Sequence, residues 1–128
     1  MAARYSFTID QGATKEFTVI YADANNSPID LTGYTAKMQI RPSPGSETLY
    51  ATLSTTISPN GSGLYITGLP SSPVPATSGS IGVVMSAALT TSLNFGEASY
   101  DLEIKSGTYV IRVIEGKVRL NKEVTKDA

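Results

Sequence analysis

Apolar residues recur at every second position through short runs of this chain, and that spacing constrains the fold more than any other feature. A strand with one face buried needs it, and a helix cannot use it. From Tyr34 to Arg41 the apolar side chains Tyr34, Ala36, Met38 and Ile40 alternate with Thr35, Lys37, Gln39 and Arg41. The same phase groups Phe17, Val19 and Tyr21; Leu49, Ala51 and Leu53; Leu64 and Ile66; and Ile81, Val83 and Met85. Turn-forming clusters separate the runs, at Asn25-Asn26-Ser27-Pro28, Arg41-Pro42-Ser43-Pro44-Gly45 and Ser58-Pro59-Asn60-Gly61. Short strands at this spacing predict an all-β, immunoglobulin-like antiparallel β-sandwich. With 128 residues, one core and a single domain spanning residues 1–128 are expected.

Two further segments refine that expectation. Ser106-Gly107 and Glu115-Gly116 read as two-residue hairpin turns, which would fold Ser99 to Val124 into a closing three-stranded meander. That register sets Ile104 opposite Tyr109, Leu102 opposite Ile111, Tyr100 opposite Val113, Val113 opposite Val118 and Ile111 opposite Leu120. Every pair is apolar, while Asp101 faces Arg112 on the other side with Glu103 diagonal to it. Ser86 to Asn94 can form a helical turn with Ser86 as its cap. The proline-bearing stretch Gly68 to Ser80 reads as a long loop.

Composition excludes several function classes. Ten basic and eleven acidic side chains leave a net charge of -1, so no strong field draws nucleic acid or an anionic membrane to the chain. No run approaches the ~20 apolar residues of a membrane span, and the opening residues from Met1 to Phe7 have no signal-peptide pattern. Cysteine is absent, which removes disulfides and thiolate chemistry. Histidine is absent too, removing the usual general base and the commonest zinc ligand.

The remaining chemical candidates are weak ones. Asp101 and Glu103 lie on one strand face, as a glycosidase pair requires, but they oppose Arg112 on a solvated surface. Asp23, Asn25, Asn26 and Asp30 offer oxygen ligands to calcium without the spacing of a calcium loop, and a self-capped turn accounts for them better. No phosphate-cradling glycine motif occurs. No cofactor, no metal and no enzymatic activity are therefore expected. Tyr34, Tyr100 and Tyr109 fall in phase with core positions. Tyr50 and Tyr65 fall out of phase, and Val110 and Ile114 share the outer phase with Arg112. Tyr50, Tyr65, Val110 and Ile114 are thus the candidate interface.

Ile29-Asp30-Leu31-Thr32-Gly33-Tyr34-Thr35-Ala36-Lys37-Met38-Gln39-Ile40-Arg41, preceded by Gln11-Gly12-Ala13-Thr14 and Phe17-Thr18-Val19, resembles the front half of small structural proteins of tailed bacteriophages. Ser99-Tyr100-Asp101-Leu102-Glu103-Ile104, then Arg112-Val113-Ile114-Glu115-Gly116-Lys117-Val118 and Glu123-Val124-Thr125, is similar to their closing strands, including those of the N-terminal domains of upper baseplate proteins. The resemblance lies in the order of these strings along the chain, and it implies an Ig-like sandwich in a virion, made in the host cytoplasm. It implies a tail, baseplate or tail-fibre attachment with other virion proteins as partners, in a homo-oligomer with trimer or hexamer symmetry, and it carries over no catalytic residue. A capsid or collar decoration, or a head-to-tail joining protein, is the same physics at another location. A carbohydrate-binding or adhesive sandwich is a third reading, weakened by the absence of Trp.

Overall fold

A computed structural model describes residues 3–124 as nine strands, one short helix and a single turn of 3-10 helix. Met1, Ala2 and Thr125 lie outside the described residues. The strands are β1 (Ala3–Arg4), β2 (Phe7–Asp10), β3 (Lys15–Ile20), β4 (Thr35–Arg41), β5 (Ala51–Ser54), β6 (Gly63–Tyr65), β7 (Ser80–Met85), β8 (Glu97–Ser106) and β9 (Tyr109–Asn121). Helix α1 (Ala87–Ser92) joins β7 to β8, and Ala76–Ser78 forms the 3-10 turn within the long loop.

Two sheets face each other. One runs β1-β9-β8-β4-β5, with β2 also pairing β9, and the other runs β3-β7-β6. With β3, β7 and β6 as strands B, E and D and β4, β8 and β9 as C, F and G, this is the immunoglobulin-like arrangement expected. Pairing is antiparallel except at β1 and β2, which both run parallel to β9. The alternation places the core as the sequence requires. Ala36, Met38 and Ile40 of β4 are buried against Leu64, Ile81, Val83 and Met85 of the opposing sheet, in one continuous cluster with Tyr100, Leu102, Ile104, Val118 and Leu120. Leu49 departs from its expected phase and is exposed, whereas Ala51 and Leu53 are buried.

Helix α1 forms where expected. The Ser86 hydroxyl accepts the Leu89 N–H at 3.2 Å as its cap. The buried Thr90 hydroxyl accepts the Gly12 N–H at 3.1 Å and donates to the Ala13 carbonyl at 2.9 Å. Gln11 adds a bond from Nε2 to the Leu93 carbonyl at 2.8 Å. These contacts tie down the Gln11-Gly12-Ala13 turn where the chain crosses from one sheet to the other.

The closing meander is not formed. β9 is one continuous strand of 13 residues, and Glu115-Gly116 lies inside it. The hairpin loop between β8 and β9 is Gly107-Thr108, one residue later than the sequence suggests, with Gly107 in the left-handed region at φ 61°. Glycine at the first of two loop positions suits the twist of a tight hairpin. Ile104 therefore faces Ile111, Glu103 faces Arg112, and Tyr109 pairs with Ser106 at the exposed tip. A bulge follows, because Leu102 faces Ile114 and leaves Val113 as the extra residue. Beyond it Tyr100 faces Gly116 and Ala98 faces Val118. The expected partners Leu102–Ile111, Tyr100–Val113, Val113–Val118 and Ile111–Leu120 do not meet. The outer edge of β9 is covered instead by β1 and β2, where Phe7 pairs with Val118 and Ile9 with Leu120.

Candidate interaction surface

The four sequence-derived interface residues are not brought together. Val110 is 51% exposed on the β8–β9 hairpin, beside Tyr109 at 61%. Ile114 is only 7% exposed, because the bulge at Val113 turns it into the core. Tyr50 is half-buried, its ring stacked on Phe95 with centroids 4.8 Å apart and planes at 13°. Tyr65 is also half-buried, and its hydroxyl donates to the Gly61 carbonyl at 2.8 Å. Both rings are therefore engaged within the chain. Tyr109, assigned to the core by its phase, is exposed at the tip.

The outer face of β4, β8 and β9 forms a polar trough of about 510 Å³. Arg4, Asp101, Arg112 and Glu115 pair with one another in it, while Arg41 and Lys117 bond to uncharged groups. Arg112 Nε lies 3.5 Å from Asp101 Oδ2 and its Nη1 lies 3.2 Å from Glu115 Oε1, while Arg4 Nη2 lies 3.4 Å from the other Glu115 oxygen. Arg41 donates to the Ser46 carbonyl at 3.0 Å and to Gln39 Oε1 at 2.9 Å, which fixes the wall of the trough. Asp101 is thus a partner of Arg112, reached diagonally across the bulge. The Asp23 carboxylate is likewise used locally, accepting the Asn25 and Ser27 N–H groups at 2.8 and 3.0 Å to close its own turn. Among the described residues, no group of three or more acidic side chains is placed to hold a metal ion.

Beneath the trough, the Tyr100 hydroxyl donates to the Tyr5 carbonyl at 2.5 Å and anchors the N-terminal segment to the core. Burial, and secondarily the neighbouring Tyr5, pushes the Tyr100 hydroxyl above the usual tyrosine range. Tyr5, Phe7, Phe17 and Tyr100 form an aromatic cluster at this end of the sandwich, with Phe7 4.8 Å from Phe17 and 4.9 Å from Tyr100. Lys15 Nζ lies 5.8 Å from the Phe7 ring centroid.

The surface that sequence reasoning missed is the side of the sandwich between β1 and β3. A groove of about 470 Å³ opens there, with Tyr5, Phe17, Val19, Tyr21, Val113 and Ile114 among its walls. β3 borders it and pairs only with β7 among the described residues. On its outer face Glu16, Thr18 and Ile20 are exposed, and Ile20 at 68% is the apolar exception. That exception was the available signal, an isoleucine on an otherwise polar strand face. No protein-family model matches the chain, and no curated protein matches it.

Proposed function

We propose that this chain is a non-enzymatic structural protein of a tailed-bacteriophage virion, an adaptor or attachment component of the tail, baseplate or tail fibres. The order of the strings that resemble those of phage structural proteins supports this, and so does the Ig-like sandwich, in whose strands β3, β4, β8 and β9 most of those strings lie. The observation that carries the reading is the placement of exposed apolar side chains. Tyr109 and Val110 project at the hairpin tip, and Ile20 stands on an open strand edge beside an apolar groove. Such positions are suited to contact with neighbours in an assembly, here other virion proteins and further copies of the chain.

Labelling of assembled particles carrying an epitope-tagged copy tests the proposal. Label at the tail, baseplate or fibres is the expected result. Label confined to the capsid or collar supports a decoration or joining role instead, and particles without label refute a virion role. Purified protein should also release no product from polysaccharide or peptidoglycan. Turnover lost on Asp101→Asn would overturn the non-enzymatic reading.

A further inference from the structure

We infer that β3 is a two-fold pairing edge, which a second copy of this chain joins antiparallel to extend the β3-β7-β6 sheet across the dimer. The ladder phase shows which groups are available. Tyr21 N–H donates to the Gly79 carbonyl at 2.8 Å, continuing the β3/β7 register of Val19 with Ile81 and Phe17 with Val83. Backbone groups alternate sides along a strand, so Phe17, Val19 and Tyr21 bond toward β7 while Glu16, Thr18 and Ile20 direct their N–H and C=O groups outward. Those outward groups call for an extended strand, and the groove beside them calls for inward side chains that are apolar.

A second copy of β3 meets both requirements. With Thr18 on the two-fold axis, Thr18 pairs with the partner's Thr18, and Glu16 with the partner's Ile20, which are the hydrogen-bonded positions. Phe17 then faces the partner's Val19 on the groove side, so each copy contributes apolar side chains to the side opening of the other. No like charges meet in this register, since Lys15 opposes the partner's Tyr21 and Glu16 the partner's Ile20. The other sheet margins offer less, since β1 spans two residues, β2 and β5 four each and β6 three, against six in β3. Three such pairs can build a hexamer. The pairing does not depend on the virion role.

The chain's lack of cysteine makes the test specific. Opposed residues at a hydrogen-bonded antiparallel position lie about 5.5 Å apart at Cα, within disulfide range. Thr18→Cys should convert under mild oxidation to a dimer of twice the 13.5 kDa chain, while Thr52→Cys on the exposed face of β5 should stay monomeric. The unsubstituted protein at tens of micromolar should sediment as a dimer. Thr18→Lys, an exposed change that sets two cations on the axis, should return it to a folded monomer, with an unchanged far-UV circular dichroism spectrum and a melt lowered only by the loss of the dimer. A monomeric parent protein, a dimer that survives Thr18→Lys, or cross-linking no better at 18 than at 52 would each overturn the inference. Monomers that still decorate tails would refute the pairing and leave the virion role standing. Dimers never found on particles would do the reverse.

Discussion

Gly116→Ala is the change that most directly tests how the N-terminal segment docks. Gly116 has ordinary strand backbone in the middle of β9, opposite Tyr100, so space and not backbone conformation requires glycine. A Cβ there would overlap the Tyr5 carbonyl oxygen, with the Tyr5 carbonyl carbon at 2.8 Å and Tyr100 Cε1 at 3.3 Å. Relieving that overlap moves Tyr5 away from β9. The shift strains the Tyr5 N–H bond to the Glu115 carbonyl, now 3.0 Å, and the bond from the Tyr100 hydroxyl to the Tyr5 carbonyl. Overpacking of this kind costs about 1–3 kcal/mol, and a buried hydroxyl deprived of its acceptor costs about 1–3 kcal/mol. Replacing a strand glycine returns about 0.5–1 kcal/mol. The net expectation is a loss of ~1–5 kcal/mol, at roughly 3–5 °C of Tm per kcal/mol for a domain of this size. Urea melts of Gly116→Ala, Tyr100→Phe and the double variant measure it. Because alanine already disturbs the bond that Tyr100→Phe removes, the two losses should fall short of additivity by ~0.5–1.5 kcal/mol. Gly96→Ala, with no atom within 4 Å of the added Cβ, serves as the neutral control. A Gly116→Ala protein as stable as the parent, or strictly additive losses, would refute the docking of Tyr5 on β9.

Thr90→Val keeps the side-chain shape but strands the Gly12 N–H and the Ala13 carbonyl, so denaturant melts should show a loss of ~1–3 kcal/mol. Val110→Ser at the exposed tip should change stability by less than about 0.5 kcal/mol, whereas Ile114→Asp, which buries an unpaired carboxylate, should cost more than ~3 kcal/mol. Equal effects in the same melts would restore the outward phase of Ile114. For Tyr100 the folded pKa lies above the ordinary value of 10.0, so the native state keeps its proton while the unfolded chain loses its own. Its contribution is intact below pH 10 and is lost as pH rises beyond it. Alkaline melts should accordingly show a smaller decline for Tyr100→Phe than for the parent.

Local patterns were legible in the sequence, and distant pairings were not. Strand β4 was readable to within one residue, because Ala36, Met38 and Ile40 have no competing phase and both flanks carry turn or loop signals. The Ser86 cap was equally readable, since its partner lies three residues away. The error came at β9, where the apolar phase switches parity between Val113 and Ile114. A hairpin turn and a bulge both produce such a switch. Glu115-Gly116 resembles a turn dipeptide and favoured the hairpin. What decides for the bulge is non-local, namely that residues 3–10 lie parallel along β9 and need a glycine where Tyr5 crosses Gly116.

The same switch explains the misplaced interface. Before the bulge, even-numbered residues of β9 face outward, as Val110 and Arg112 do, and strict alternation carries Ile114 out with them. After it, even-numbered residues face inward, so Ile114, Val118 and Leu120 join the core while Glu115 turns outward beside Arg112. Tyr50 and Tyr65 fail differently. Each sits at a strand end, just before β5 and at the last residue of β6, where pleat phase no longer dictates direction and a ring can bend toward Phe95 or a hydroxyl toward Gly61. Ile20 also ends its strand, but among the described residues its side chain is not folded back in this way and remains exposed. An outward apolar residue is therefore informative only once its own end of the strand has been shown to lack a place to fold it back, and on this chain that condition selects the β3 edge over the tyrosines.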